Sequence, residues 1–192
     1  MNHQNIVLTI GDNAPDFTLP DHTEQPVRLS SLWHDQPLML IFVRHLGCPL
    51  CRGQLTQMRD HIQQYQDARA EVVAVTMSPA AELAPFRKEF QLPFRLLSDI
   101  ERAAYRAYGL QRGGLLAVAG PNVWRRGWNS LFSFGAGRVV GDPYQMSGSF
   151  VIGTDGRIRL VHYAKSSADW GETADQIAAV KSSPAAPQQQ NR

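Results

Sequence analysis

Six consecutive apolar residues, 38–43, lead almost directly into the segment that holds both cysteines of the chain, "LMLIFVRHLGCPLCRG". An uninterrupted apolar run of this length is typical of a strand buried on both faces of a sheet. Gly47 breaks the run, and Pro49 suits the first turn of a helix, where a missing N–H costs little. The helix that follows has an apolar face at steps of three and four residues, formed by Cys51, Leu55, Met58, Ile62 and Tyr65. The pattern therefore places the cysteine pair where a buried strand passes into a helix.

Strands and helices alternate along the rest of the chain. Further strands are predicted at residues 16–19, 26–29, 71–77 and 94–99, and a hairpin around Asp155-Gly156 within 149–164. Helices are predicted at 80–90, interrupted near Pro85, at 101–110, ended by Gly113 and Gly114, and at 171–183. This order predicts one α/β domain, residues 1–182, with a mixed central sheet, and a disordered tail at 183–192.

Residues 113–139 form an insert that is unusual for so compact a fold. It contains two tryptophans and two phenylalanines, with arginines between the tryptophans. Such a segment predicts either an additional helix that packs over the sheet edge or an exposed surface for a partner or ligand. A homodimer interface is consistent with both.

Composition excludes several classes of function. The 19 basic and 17 acidic residues leave a net charge of +2, too small to indicate binding to nucleic acid or to an anionic membrane. No apolar run approaches the roughly 20 residues that span a bilayer, and the N-terminal segment lacks the pattern of a secretory signal. A single pair of cysteines is not the disulfide framework of a secreted protein, so the predicted compartment is the cytoplasm.

Several chemistries compete for Cys48 and Cys51. A zinc site needs four ligands, and no histidine pair follows at the spacing of a zinc finger. A copper(I) site could combine the two thiolates with a distant imidazole, such as His45 or His162. The two cysteines could also pack as small apolar side chains with no chemistry.

A redox pair uses every feature of the segment. Free N–H groups and the dipole at a helix N-terminus lower the pKa of a thiol at Cys48, and Arg44 and Arg52 could add positive charge. Alternation along the strand puts Arg44 and His45 on opposite sides, so only one of the two is expected to reach the sulfur. Cys51 lies one turn further on, about 5–6 Å away between Cα atoms, within the range of a disulfide. Its place on the apolar face suits a resolving partner, which makes Cys48 the attacking thiol.

The segments "GDNAPDFTLPDHTEQPVRLSSL" and "IFVRHLGCPLCRGQLTQM", with the later "GDPYQMSGSFVIGTDGRIRLVHYAKSSADW", resemble peroxiredoxins of the AhpC/TSA superfamily, and more specifically its peroxiredoxin-like members with CxxC. The resemblance covers residues 11–180. It implies a thioredoxin-like fold with an N-terminal strand extension. It also implies that Cys48 is the peroxidatic cysteine and Cys51 the second redox cysteine.

Two segments depart from the pattern that the resemblance implies. Ser147 falls near the loop where thioredoxin-like proteins keep a cis-proline and peroxiredoxins keep an arginine, and "YQMSGSF" contains neither residue. His45 and Ile41 stand where typical peroxiredoxins have a Thr or Ser and a Pro. The hydroxyl and the arginine normally serve the peroxide step, whereas thiol–disulfide exchange needs neither.

The expected function is a thiol-dependent peroxidase, with thiol–disulfide exchange as the alternative. No cofactor and no metal are expected. The expected partners are a small hydroperoxide or disulfide as substrate and a thioredoxin-like protein or glutathione as reductant. The residues expected to line the site beside the cysteine pair are Arg44, His45, Gly47, Pro49, Arg52, Gln145 and Ser147.

Overall fold

The computed structural model describes residues 7–120, 123 and 130–183. The strands are β1 (Thr18–Pro20), β2 (Pro26–Arg28), β3 (Leu38–Phe42), β4 (Glu71–Thr76), β5 (Arg95–Ser98), β6 (Gly148–Ile152) and β7 (Ile158–Tyr163). The helices are α1 (Ser30–Trp33), α2 (Pro49–Asp60), α3 (Ile62–Asp67), α4 (Ala80–Glu89), α5 (Ala103–Ala107), α6 (Leu115–Ala119) and α7 (Thr173–Lys181). Residues 130–134 are also helical. Within the described ranges, no helix is long and apolar enough to cross a membrane.

A five-stranded sheet forms the centre of the fold, in the order β5-β4-β3-β6-β7. Strands β3, β4 and β5 run parallel, and β6 and β7 are antiparallel to their neighbours. Strands β1 and β2 pair in a separate antiparallel ribbon. The predicted mixed α/β sheet and the N-terminal strand extension are confirmed.

Strand β3 is buried on both faces, as its apolar run predicts. Met39 and Ile41 belong to one core cluster, which also contains the apolar face of α2. Leu40 and Phe42 belong to a second cluster on the other face of the sheet, beneath α5. Each large side chain buried in this way stabilises the fold by about 1.5–3 kcal/mol. The double burial fixes the direction in which the chain leaves β3 toward the cysteine pair.

Two helix predictions need correction. The helix after the cysteine pair is not continuous: α2 ends at Asp60, His61 has φ −105° and ψ 5°, and α3 begins at Ile62. Conversely, α4 runs through Pro85 without interruption. Pro85 and Ala81 are both exposed, so water can hydrogen-bond the carbonyl that the proline leaves without a donor.

The later boundaries also differ in detail. Helix α5 ends at Ala107 rather than at the predicted glycines, because Gly109 takes the left-handed conformation with φ +73°. The predicted hairpin and final helix are confirmed as β6–β7 and α7. Ser183, the first residue of the predicted tail, is buried, and its hydroxyl donates to the Ala179 carbonyl at 2.9 Å. The rest of that tail, 184–192, and the tryptophan–arginine part of the insert, 124–128, lie outside the described residues.

Candidate active site

Cys48 is the N-cap residue of α2. Its backbone is extended, with φ −81° and ψ 121°, and Pro49 follows in the first turn. The Cys48 N–H donates to the His45 carbonyl at 3.1 Å, and the Cys48 carbonyl accepts from the Arg52 N–H at 3.0 Å. The thiol therefore lies at the end of the helix where free N–H groups favour an anion.

Cys51 lies one helical turn further on, and both cysteines are free thiols. Each side chain is 4% exposed, and both belong to the core cluster beneath α2. The pair is thus closed to bulk water in this structure. The two thiols are nevertheless hydrogen-bonded to each other, and this bond shifts the pKa of each.

Arg44 brings a positive charge directly to the attacking sulfur. Its Nη2 lies 2.9 Å from Cys48 Sγ, and its Nη1 donates to the Pro143 carbonyl at 2.9 Å. The Arg44 side chain is buried. Phe42 at the end of β3 pairs with Gly148 at the start of β6, so the segment that leads into β6 passes beside the residues that leave β3. This pairing is what brings Pro143 to the arginine.

The surroundings separate the two thiols in acidity. The hydrogen bond from Cys51, the Arg44 charge and the N–H of Cys51 lower the pKa of Cys48 from its ordinary 9.0 to about 5, although burial alone would raise it. The pKa of Cys51 is raised well above 9.0 by its hydrogen bond to Cys48, by burial and by the charge on Cys48. Near neutral pH the pair therefore consists of one thiolate and one neutral thiol. The helix N-terminus predicts this direction for Cys48, but the largest cause is the neighbouring thiol.

His45 is buried beside the pair without a hydrogen bond to either sulfur. Its Nδ1 has no hydrogen-bond partner among the residues that the structure describes. Burial is the main cause that lowers its pKa; the Arg44 charge acts in the same direction, and Cys48 in the opposite one. The imidazole is therefore neutral near pH 7. Of the two candidates at the end of β3, it is Arg44 that reaches the sulfur.

Arg52 does not extend the positive charge to Cys48. Its Nε donates to the Leu46 carbonyl at 2.7 Å, and its Nη1 donates to the Phe134 carbonyl at 2.8 Å. The guanidinium also lies over the Phe90 ring, 5.2 Å from its centroid. In the structure the Arg52 side chain joins the insert to α2.

The insert covers the turn that precedes Cys48. The Gly137 N–H donates to the Gly47 carbonyl at 2.9 Å. A Cβ on Gly47 would lie 2.1 Å from the Arg138 carbonyl oxygen, so only glycine allows this approach. Residues 134–138 therefore form a cover over the N-terminus of α2, a contact for which the sequence carries no signal.

Gln145 and Ser147 lie on the segment before β6, and neither forms a hydrogen bond with a sulfur of the cysteine pair. The Gln145 Nε2 donates to the Leu110 carbonyl at 3.0 Å and to the Gln111 carbonyl at 3.3 Å. The amide thus joins two stretches of backbone instead of facing a substrate. Ser147 is buried and lines a separate cavity of about 390 Å³ beside the end of β7.

The copper alternative has no third ligand in the part of the chain that the structure describes. Among the described residues, no group of three or more His, Cys, Asp or Glu side chains is placed to hold a metal ion. His162 lies instead with its Nε2 2.9 Å from Asp169 Oδ1. The zinc alternative fails for the same reason, since it needs still more ligands.

A CxxC at the start of a helix, directly after the central strand of a mixed sheet, defines a thioredoxin-fold protein with a redox-active thiol pair. The AhpC/TSA family model matches residues 10–161. This protein belongs to the AhpC/TSA family.

Individual relatives agree with this assignment. A Mycobacterium tuberculosis protein classed as a peroxiredoxin is 33% identical over 106 residues, which are 55% of this chain and 69% of that protein. Alkyl hydroperoxide reductase E of the same organism is 30% identical over 106 residues, which are 54% of this chain and 69% of the relative.

Solved structures are similar as well. The crystal structure of peroxidoxin BcpB from Mycobacterium tuberculosis matches with a TM-score of 0.67 and 25% identity, over 90% of this chain and 96% of that one. A structure from Chlorobium tepidum, assigned as a thiol:disulfide interchange protein DsbE, matches with a TM-score of 0.62 and 25% identity, over 90% and 99%.

Proposed function

We propose that this protein is a thiol-dependent peroxidase in which Cys48 attacks a hydroperoxide and Cys51 resolves the product. The observation that carries the proposal is the arrangement of one guanidinium and two thiols. Arg44 lies 2.9 Å from the Cys48 sulfur, and the neutral Cys51 thiol donates to the same sulfur. A charge and a thiol donor together keep Cys48 ionised inside an apolar site, which a nucleophilic cysteine requires.

The first step breaks the O–O bond of the hydroperoxide. The Cys48 thiolate attacks the terminal oxygen, an S–O bond forms, and the bonding electron pair leaves with the alkoxide or hydroxide, which takes up a proton. Cys48 is oxidised to a sulfenic acid and the peroxide is reduced to an alcohol or water. Arg44 is placed to stabilise the thiolate and the negative charge that passes to the oxygens. From the loop after β3, Arg44 supplies the positive charge that peroxiredoxins take from the arginine missing in "YQMSGSF".

The second step closes the disulfide. The Cys51 sulfur attacks Cys48, an S–S bond forms and hydroxide leaves as water. The hydrogen bond to Cys48, burial and the Cys48 charge raise the pKa of Cys51, so it stays neutral until the thiolate has been consumed. An external thiol reductant, either one thioredoxin-like dithiol protein or two molecules of glutathione, then reduces the disulfide by exchange and is itself oxidised to a disulfide. Because both cysteines are only 4% exposed, we propose that residues 134–138 move aside for substrate and reductant.

Peroxide consumption by the reduced protein in stopped flow tests the proposal. We expect wild type to react much faster than free cysteine and Cys48→Ser to lose the reaction. Cys51→Ser should complete one turnover and retain a sulfenic acid at Cys48, which dimedone labels. The two single-cysteine variants are controls for each other, since each removes one thiol of the same pair. A wild-type rate of peroxide consumption equal to that of free cysteine would rule out the proposed peroxidase activity.

A second candidate is thiol–disulfide exchange with no peroxide step. It is favoured by His45, which stands where peroxiredoxins have a hydroxyl, and whose Nδ1 makes no hydrogen bond to a described residue. In that case, reduced protein reacts slowly with peroxide but rapidly with a small disulfide such as oxidised glutathione. Cys48→Ser abolishes that exchange too, so the ratio of the two wild-type rates separates the candidates.

Cellular context and assembly complete the proposal. A free CxxC pair that cycles through a disulfide suits the reducing cytoplasm, which supplies dithiol reductants. For assembly we propose a homodimer that uses the insert, where Leu116 and Phe132 are each 81% exposed. Analytical ultracentrifugation of wild type and Leu116→Glu tests this, and a monomeric wild type would contradict it.

A further inference from the structure

The Gly-Asp-Pro segment, residues 141–143, precedes β6 and borders the cysteine site. It contributes one group to the site, the Pro143 carbonyl, which accepts from Arg44 at 2.9 Å. The Arg44 guanidinium also bonds the Cys48 sulfur at 2.9 Å and the Cys51 thiol, so the Pro143 carbonyl holds it from outside the cysteine pair. The place of the guanidinium against the sulfur therefore depends on where residues 141–144 lie.

Asp142 fixes this segment with both carboxylate oxygens. Its Oδ2 lies 2.8 Å from Arg102 Nη1 and 2.7 Å from Arg112 Nε, and its Oδ1 accepts from the Tyr144 N–H at 2.9 Å. The carboxylate is only 12% exposed, so these pairs are less screened than ordinary surface pairs. Arg102 comes from the start of α5 and Arg112 from the loop after it, so Asp142 ties the segment to an element outside the cysteine site.

We propose that Asp142 is a positioning residue for the thiol chemistry: its two ion pairs hold the Pro143 carbonyl where that carbonyl keeps the Arg44 guanidinium against the Cys48 sulfur. The inference rests on the proposed function only in taking Cys48 as the attacking thiol. Gln145 supports the same segment from its other side, through its bonds to the Leu110 and Gln111 carbonyls. The Gly-Asp-Pro-Tyr-Gln stretch thereby has a physical role as the support of the arginine.

The direction in which the Cys48 pKa shifts when the Asp142 charge is removed tests this role. The groups that act on the Cys48 pKa are Cys51 and the Arg44 guanidinium, and the His45 imidazole lies beside them. The hydrogen bonds and ion pairs of Asp142 go to Arg102, Arg112 and Tyr144 instead. If Asp142 acted only through space, removing its negative charge would make the Cys48 thiolate easier to form. If it positions Arg44, the same change draws the guanidinium away and makes the thiolate harder to form. The two effects have opposite signs.

The experiment is Asp142→Asn, with the Cys48 pKa taken from the pH dependence of iodoacetamide alkylation in a Cys51→Ser background and from thiolate absorbance in the full pair. Asparagine keeps the acceptor for the Tyr144 N–H and loses the charge that pairs with the arginines. We expect the Cys48 pKa to rise by about 1, which means about tenfold less thiolate at a pH below both values. Neither readout uses peroxide. The positioning role of Asp142 can therefore be disproved while the peroxidase activity is confirmed, and the peroxidase activity can be disproved while the positioning role is confirmed.

Asp155→Asn is the matched control. Asp155 also accepts an N–H two residues on, from Arg157 at 3.1 Å, and pairs with an arginine, Arg159, at 2.6 Å. It lies in the β6–β7 turn, so its loss should leave the Cys48 pKa unchanged. Should Asp142→Asn fail to fold, Arg112→Gln removes one of the two ion pairs from a side chain that is 65% exposed, and a smaller rise is expected. A pKa that falls or stays constant in the folded variant overturns the proposal, whatever happens to its melting temperature.

Discussion

Arg44 and Cys48 are four positions apart in sequence, and the guanidinium of one lies 2.9 Å from the sulfur of the other. The contact is possible because the chain leaves β3 and turns back into α2 within those residues. Arg44 is buried, so its charge acts on the sulfur with little screening by water. The thiolate is in turn a counter-charge for the arginine, which helps to hold the pKa of Arg44 above its ordinary value although burial lowers it.

Replacing Arg44 should therefore reduce the acidity of Cys48. We expect Arg44→Gln to raise the Cys48 pKa and to slow alkylation at neutral pH by about tenfold or more, since the charge and a hydrogen bond are both lost. For Arg44→Lys we expect a Cys48 pKa between those of wild type and Arg44→Gln. The ammonium keeps the charge, but it lacks the planar guanidinium that bonds the sulfur and the Pro143 carbonyl together. The measurement is the rate of iodoacetamide alkylation against pH. Unchanged kinetics in Arg44→Gln would show that the Cys51 hydrogen bond alone maintains the thiolate.

Gly47 tests how tightly the insert covers the site. A Cβ there would meet backbone atoms of Gly137 at 2.7 Å and Arg138 at 2.1 Å, so Gly47→Ala must push the cover away. We expect a loss of about 1–3 kcal/mol in the free energy of unfolding and faster reaction of Cys48 with a bulky thiol reagent such as DTNB. Denaturant titration and DTNB kinetics measure the two effects.

Gly114→Ala is the control for this substitution. Gly114 has a negative φ of −76°, and a Cβ there would meet nothing within 4 Å. Its replacement should change neither stability nor thiol reactivity by much. If Gly47→Ala lowers stability but leaves the DTNB rate as it was, residues 134–138 do not control access to Cys48.

The sequence predicts those parts of the site that depend on local pattern. The apolar run of β3, the break at Gly47 and the proline at position 49 together place the cysteines at a strand–helix junction, where the structure has them. The relative order of acidity also follows, because Cys51 lies on the apolar face of the helix and Cys48 at its end. These features need no knowledge of distant residues.

Contacts between distant parts of the chain could not be predicted. Arg44 meets Pro143 across 99 positions, and Arg52 meets Phe134 across 82. Both partners are backbone carbonyls in segments without periodic pattern, so side-chain identity there carries no signal for the contact. The same applies to Gln145, whose residue type suggests a substrate contact but whose amide is engaged by the Leu110 and Gln111 carbonyls. The packing of the whole domain decides which loop carbonyls come to lie beside Arg44 and Arg52.

A prediction far from the site concerns the packing of α7 against α3. The Tyr65 hydroxyl donates to Gln176 Oε1 at 2.8 Å, and both side chains are buried. Tyr65→Phe leaves that oxygen without this donor, and we expect a loss of about 1–2 kcal/mol in unfolding free energy. Denaturant titration measures it, with the Cys48 pKa expected to be unchanged.

Tyr144→Phe is the comparison for Tyr65→Phe. Tyr144 is 37% exposed, and its hydroxyl has no hydrogen bond to any residue in the described part of the chain. Removing that hydroxyl should leave the free energy of unfolding nearly unchanged. Equal effects of the two substitutions would mean that the buried hydrogen bond contributes nothing to stability.

The stability of the reduced protein should depend on pH through the cysteine pair. The folded pKa of Cys48 is about 5 and its ordinary value is 9.0, so folding favours the anion. The contribution is complete above pH 9, decreases as the pH falls and is lost below about 5. Cys51 has the opposite sign: its pKa is raised, so its ionisation in the unfolded chain weakens the fold only above about pH 9.

Cys48→Ser isolates this contribution, because serine does not ionise in the same range. We expect the difference in unfolding free energy between reduced wild type and Cys48→Ser to grow from about pH 6 to about pH 9, by at most about 1.4 kcal/mol for each pH unit. His45 titrates in both proteins and largely cancels in the difference. Denaturant titrations under reducing conditions at three pH values give the slope. A difference that does not vary with pH would mean that Cys48 is protonated in the folded state, and the thiolate on which the proposed chemistry depends would be absent.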